Sequence, residues 1–185
     1  MGANRSPHAA LFRDRVDRYL GCDLQPAASP YLRIVGAAEH LPIVDASIDT
    51  VLCTQVLDDL PEPAALFEEV HRVLAPGGHL ILTAPFFWRL HDLPHDYFRF
   101  TAPGLRSLCD RSGLTLIVLA PRGGFWATAG QMLSLYVWSV LGRGWAGRGL
   151  ARSICGPIQT AALGLERLHA DYRQTLGYTL VARKA

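Results

Sequence analysis

The order of apolar runs along the chain is the feature that most restricts its fold. Short runs typical of β-strands alternate with segments whose apolar residues recur every three or four positions, as they do on one face of a helix. Such an alternation favours an α/β fold, in which helices cover a doubly wound sheet. We predict six strands, all in one sheet, near residues 18–23, 32–36, 49–53, 79–84, 114–120 and 177–183.

Two helices are predicted between these strands. Helical spacing begins at Pro63 and stops before Pro76-Gly77-Gly78, a sequence that a helix does not continue through. It returns from Ala102 to Ser112, where Gly113 is placed as a helix terminator. The helices therefore fill the connections that parallel strands require.

Length and composition narrow the class of protein. A chain of 185 residues predicts a single domain over 1–185. A net charge of +2, with 18% charged residues, gives no basic field, so we expect no nucleic-acid partner. The four cysteines form no CxxC pair, and the chain opens without an apolar leader, so we expect a cytoplasmic protein with no structural zinc or disulfide.

A resemblance to a known family rests on the first half of the chain and on its last strand. A strand ending in Asp23 is followed by GAAEHLP at Gly36–Pro42, by DTVLCTQVL from Asp49, and by HRVLAPGGHLILTAPF from His71. The chain closes on GYTLVARK from Gly177. This order resembles the class I S-adenosylmethionine-dependent methyltransferases of the type 11 kind. The resemblance implies a Rossmann-like sheet with an antiparallel last strand and a helical insertion before it, at about 124–168.

The resemblance also implies a site for S-adenosylmethionine. Asp23 would accept the ribose hydroxyls, with Leu24 beside it, although a capping or turn role for this aspartate stays open. Backbone groups of the loop after the next strand would contact the adenine, and polar side chains past the third strand would face the methionine portion. The implied cofactor-binding residues are Gly2, Ala3, Asn4, Asp23, Leu24, Ala37, Ala38, Glu39, Thr54 and Gln55.

The beginning of the chain departs from the family pattern. Gly2-Ala-Asn-Arg-Ser-Pro7 resembles the family's glycine-rich turn with two glycines replaced, and the strand that should precede the turn is absent. The sequence thus reads as an N-terminally truncated domain. Without that strand the sheet would be split into two parts with unpaired edges, which is a costly arrangement.

The acceptor pocket is expected beside the segment PFFWRLHDLPHDYFRFT, which starts at Pro85 and is rich in aromatic residues. We place it between the Trp88–Phe100 loop and the first helix of the insertion. The candidate catalytic residues are His95, His91 and Asp96, because transfer to oxygen or nitrogen releases a proton that a histidine can take. A structural role for His95 and Asp96 is an equal alternative. Pro94 between the two histidines argues against a metal site.

The insertion at 124–168 is predicted as two helices broken at Gly142–Gly144 and again at Gly147–Gly149. Its helices are nearly apolar all round, and it combines the tryptophans at 126, 138 and 145 with Arg143, Arg148 and Arg152. A lid over the pocket, a homodimer contact and a membrane-surface contact all fit this composition.

Three functions fit the sequence. We expect an enzyme that transfers a methyl group from S-adenosylmethionine to a small or lipid-like acceptor. The first alternative is a degenerate module that keeps the fold and binds without turnover, which Ala37 and the missing strand favour. The second is a nicotinamide-dependent oxidoreductase, which would also place an acidic residue on a ribose. The acceptor itself cannot be read from the sequence.

Overall fold

A computed structural model describes residues 8–12, 14–26 and 32–185. Gly2, Ala3 and Asn4, three of the predicted cofactor-binding residues, lie outside the described residues. In chain order the strands and helices are α1 Ala9–Phe12, β1 Gly21–Asp23, β2 Leu32–Val35, β3 Ile48–Thr54, α2 Pro63–Val73, β4 Leu74–Pro85, α3 Ala102–Ser112, β5 Leu114–Pro121, α4 Phe125–Leu141, α5 Gly144–Leu168 and β6 Gly177–Lys184. A 3-10 turn at Leu57–Asp59 precedes α2.

The strands form two sheets, so the prediction of a single sheet was wrong. One sheet has two parallel strands, β1 and β2, and the other has the order β3-β4-β6-β5. No described strand joins β1 to β3. The α/β class and the antiparallel last strand are confirmed.

The chain divides into two compact units. The first unit holds residues 1–84, 90–119 and 179–185, and the second holds 85–89 and 120–178. The prediction of a single domain with an insertion stays a prediction.

The core of the first unit follows from the helical and strand periods. The buried face of α2 consists of Leu66, Phe67, Val70 and Val73. On β4 alternate residues are buried, among them Leu80 and Leu82. Helix α3 begins where the Thr101 hydroxyl accepts a hydrogen bond from the Gly104 amide, and it ends at Gly113, whose positive φ of 77° suits a glycine.

Helices α4 and α5 form an antiparallel hairpin in the second unit. The carboxylate of Glu166, near the end of α5, accepts hydrogen bonds from the amides of Gly124, Trp126 and Ala127 at the start of α4. In the middle, Gln159 Nε2 lies 3.3 Å from the Gly130 carbonyl oxygen and 3.0 Å from Ser134 Oγ. No described helix combines the length and the hydropathy that crossing a bilayer requires.

The break predicted at Gly142–Gly144 is present, but the one at Gly147–Gly149 is not, because α5 continues through it. A Cβ on Gly147 would lie 2.2 Å from the Leu141 carbonyl oxygen. This glycine therefore permits a close approach between the two helices and does not end one.

Candidate active site

Asp23 lies at the carboxyl end of β1, where the sequence places it. Its carbonyl accepts a hydrogen bond from the Gly36 amide at 2.9 Å, which brings the loop after β2 next to it. Its Oδ1 accepts a hydrogen bond from the Gln25 amide at 3.2 Å. Ala38 in that loop is buried, while Ala37 and Glu39 are partly exposed. The residues predicted for the ribose and the adenine are thus neighbours.

Thr54 is the last residue of β3 and Gln55 follows it, but the two side chains have different surroundings. Oγ1 of Thr54 lies 3.5 Å from Nε2 of His8. Gln55 has a positive φ of 52°, and its side-chain amide donates to Oγ1 of Thr83 at 3.0 Å. Thr54 therefore lines the cavity beside β3. The side chain of Gln55 is instead held by its hydrogen bond to Thr83 on β4.

A cavity of about 870 Å³ lies in the first unit, lined by residues of β1 and β3. Its walls include His8, Tyr19, Cys22, Ile34, Val51 and Thr54. The volume is in the range of small-molecule sites, roughly 300 to 1,000 Å³. The lining extends from Ile48 to Thr54, so the cavity follows the whole length of β3 and not only its carboxyl end.

An acid–histidine cluster in the first unit joins the turn after β3 to the segment before α3. Nε2 of His91 lies 3.3 Å from Oδ2 of Asp58, and its Nδ1 lies 3.1 Å from Oδ2 of Asp96. Arg99 donates to both oxygens of Asp96, at 2.5 and 2.8 Å. The amide of His91 also donates to Asp96, at 2.9 Å. His91 and Asp96, two of the predicted catalytic residues, are thus brought together.

The carboxylates of this cluster titrate differently because their surroundings differ. The Arg99 guanidinium holds the pKa of Asp96 well below its usual range. Burial raises the pKa of Asp58, whose carboxylate oxygens accept no hydrogen bond within the described part of the chain. Burial and the charge of Asp58 raise the pKa of Asp59 to about 6. Asp59, which follows Asp58 in the chain, therefore changes charge near pH 6.

His95 lies apart from the other two predicted catalytic residues. It is exposed, and its Nδ1 lies 3.3 Å from the hydroxyl oxygen of Tyr97. Both ring nitrogens of His91 face carboxylates, so His91 has no free nitrogen for a substrate. Of the two histidines, His95 is the one with an accessible ring.

Two groups of donor atoms could hold a metal ion. They are Asp58, His91 and Asp96, and Asp59, His91 and Asp92, with the donor atoms of each group within 4.8 Å of one another. Arg99 already occupies both oxygens of Asp96, which supplies a positive charge without an ion. The absence of a metal stays a prediction.

Sequence reasoning missed Asp58, Asp59 and Arg99. The available signal was the pair of aspartates four residues past β3, since a carboxylate at the carboxyl edge of a parallel sheet is a frequent site residue. The partner of Asp58 lies 33 positions away at His91, and local periodicity carries no information about that separation.

Comparison with known proteins identifies relatives of the chain. Residues 1–82 match the model of a family described as the methyltransferase domain. The chain is a relative of S-adenosylmethionine-dependent methyltransferases. The malonyl-acyl-carrier-protein O-methyltransferase of Dechloromonas aromatica is 33% identical over 104 residues, which are 51% of this chain and 39% of that protein. The arsenite methyltransferase of Halobacterium salinarum is 29% identical over 98 residues, covering 48% of this chain and 25% of the relative. The chain thus spans well under half the length of these relatives.

Solved structures agree on the fold of this methyltransferase relative. An S-adenosylmethionine-dependent methyltransferase from Mesorhizobium loti has a TM-score of 0.59 at 16% identity, covering 98% of this chain and 88% of that one. A Burkholderia thailandensis 1,6-didemethyltoxoflavin N1-methyltransferase with bound S-adenosylhomocysteine also gives 0.59 at 16% identity, covering 100% and 68%. The cyclase SpnF gives 0.57 at 20% identity, covering 97% and 70%. The fold is therefore Rossmann-like, and it alone does not fix the reaction.

Proposed function

We propose that the chain is an S-adenosylmethionine-dependent methyltransferase that acts on a small or lipid-like acceptor. The observation that carries this proposal is the methyltransferase-domain match over residues 1–82, the part of the chain that holds Asp23 and Thr54. The named relatives support methyl transfer over the nicotinamide alternative. Their acceptors differ widely, so the choice of an apolar acceptor rests on this chain's own residues.

The residues beside β1 and β3 fit a nucleoside cofactor. The carboxylate of Asp23 would accept the ribose hydroxyls, and backbone groups of Ala37 and Ala38 would contact the adenine. Thr54 would face the methionine portion, with Leu24, Glu39 and Gln55 as neighbours and Gly2, Ala3 and Asn4 as the remaining proposed contacts. When bound, S-adenosylmethionine supplies a methyl group activated by a sulfonium.

The protein's part in the reaction is to orient the acceptor and to receive a proton. An acceptor hydroxyl or amine loses its proton as its oxygen or nitrogen bonds to the methyl carbon. Nε2 of His95 can take that proton because this ring is exposed and its other nitrogen, Nδ1, is the one near the Tyr97 hydroxyl. Asp59 is a second candidate, because its Oδ1 accepts no hydrogen bond and its pKa is raised to about 6. His91 and Asp96 would hold the segment in place.

The segment around His95 supports an apolar acceptor. Leu90 and Leu93 are 69% and 70% exposed, and Tyr97 and Phe98 are 46% and 40% exposed. Exposed apolar side chains concentrated on one segment indicate a binding surface more than a structural role. His95 and Tyr97 would supply the orienting polar groups.

A degenerate binding module is the second candidate. The split between the two sheets and the alanine at position 37 favour it.

The cytoplasmic compartment stays a prediction. The four free cysteines are consistent with it.

The test is methyl transfer from S-adenosylmethionine tritiated on its methyl group to a panel of apolar alcohols, amines and thiols. Labelled product that disappears in Asp23→Ala supports the enzyme. Tight cofactor binding without product from any acceptor supports the binding module. The absence of both product and cofactor binding contradicts the proposal.

A further inference from the structure

The charged residues along most of the α4–α5 hairpin are all positive. From Phe125 to Leu165 the sequence contains Arg143, Arg148 and Arg152 and no acidic residue. All three arginines are exposed, and none forms a salt bridge with a described carboxylate. They lie at the turn between the helices and on the first part of α5, so the positive charge is concentrated at one end of the hairpin.

The same end carries exposed apolar side chains. Trp145 is 90% exposed and Trp138 is 41% exposed. Val140 and Leu150 are 56% and 53% exposed. We define the hairpin tip as residues 138–152. A fully exposed tryptophan among arginines is the combination that suits the boundary between lipid headgroups and acyl chains.

Contacts between α4 and α5 hold the hairpin tip in position. Glu166 binds the first amides of α4, and a Cβ on Gly130 would lie 2.5 Å from Cβ of Ala162, which shows how closely the helices approach. Gln159 bridges α5 to Gly130 and Ser134 on α4. The tip is therefore held by the hairpin itself, and binding there does not first have to order the helices.

We propose that the hairpin tip binds the surface of membranes containing anionic phospholipids. The arginines would pair with headgroup phosphates, and Trp145 would enter the headgroup region. A second copy of the chain fits less well, because a symmetric contact through the tip would bring arginines against arginines, and the hairpin tip has no acidic residue to pair with them. The binding requires no methyl transfer and stands independently of it.

The test uses the full chain and sonicated vesicles of phosphatidylglycerol and phosphatidylcholine, with pure phosphatidylcholine as the neutral comparison. We expect sedimentation with the anionic vesicles only and release as salt is raised. Each arginine near the surface contributes about a fivefold factor, so Arg143→Gln, Arg148→Gln and Arg152→Gln together should lower the partition coefficient on the order of 100-fold. Trp145→Ser should also weaken binding.

The matched control replaces Arg106 and Arg111 on α3 by glutamine. This variant should bind like the parent, and all variants should keep the parent's melting temperature. Equal binding to neutral vesicles, no binding to anionic ones, or unchanged binding by the triple variant overturns the proposal. A dimer on size-exclusion chromatography that Trp145→Ser dissociates, without vesicle binding, also overturns it in favour of self-association.

Discussion

Nε2 of His91 lies 3.3 Å from Oδ2 of Asp58, a fully buried carboxylate that accepts no hydrogen bond from any residue the structure describes. This contact joins the turn after β3 to the segment that carries His95. The charge of Asp58, next to Asp59 in the chain, helps to raise the pKa of Asp59 beyond the effect of burial, whereas His91 lowers it. The pKa of Asp59 therefore depends on the charges of Asp58 and His91.

Stability should fall as the pH rises through the range in which Asp59 ionises. The pKa of Asp59 is raised from 3.8 to about 6, so between these values the folded state binds the proton more tightly than the unfolded chain does. Folding loses this advantage as the pH rises from 3.8 to about 6. Asp59→Asn cannot ionise, so it should be more stable than the parent at pH 7 and close to it near pH 4. Urea unfolding at both pH values measures the difference.

The control for this prediction is Asp110→Asn, because Asp110 is exposed on α3. It shows how much of the change in stability comes from replacing an exposed aspartate by asparagine. A stability gain in Asp59→Asn that is the same at pH 4 and pH 7 would show that the raised pKa is not its cause.

His95→Ala should lower turnover by about 100-fold if His95 receives the proton. Cofactor affinity and melting temperature should stay unchanged, because the ring is exposed and its contact is with the exposed Tyr97. His91→Ala should instead lower the melting temperature, since it leaves Asp58 without its partner. If His95→Ala lowers stability and cofactor affinity together, the histidine is structural.

Glu166→Ala should destabilise the protein by about 1 to 2 kcal/mol, because it removes a side chain that caps the first amides of a helix. The Gly124 amide donates to its Oε1 at 2.6 Å, and those of Trp126 and Ala127 donate to its Oε2 at 3.1 Å. The comparison is Glu62→Ala, since Glu62 precedes α2 and makes no capping hydrogen bond. Equal effects of the two substitutions on urea unfolding would contradict the capping role.

The sequence allowed the strands and helices to be predicted, because their periods are local. All six predicted strands exist, although the first extends only over Gly21–Asp23 and the fourth begins earlier, at Leu74. The division into two sheets was harder to predict, because it depends on which strand edges meet. The continuation of α5 through Gly147 was missed because a glycine that permits a close approach reads like one that ends a helix.

The site was predicted only where its residues follow a strand end. Asp23 and Thr54 could be located at the carboxyl ends of strands, because Asp23 ends a predicted strand and Thr54 directly follows one. The grouping of Asp58 with His91 could not, since it depends on how a long segment folds back. The separation of His95 from His91 could not be predicted either, because a loop with Pro94 has no fixed period.

The central claim is that this chain binds S-adenosylmethionine through Asp23. Isothermal titration calorimetry with S-adenosylhomocysteine, on the parent and on Asp23→Ala, tests it most directly. We expect the parent to bind and the variant to lose about 1.5 to 3 kcal/mol, the range for hydrogen bonds to a charged group. This loss corresponds to a dissociation constant roughly 10- to 150-fold weaker. Equal affinity of the two proteins, or no binding by the parent, would contradict the claim.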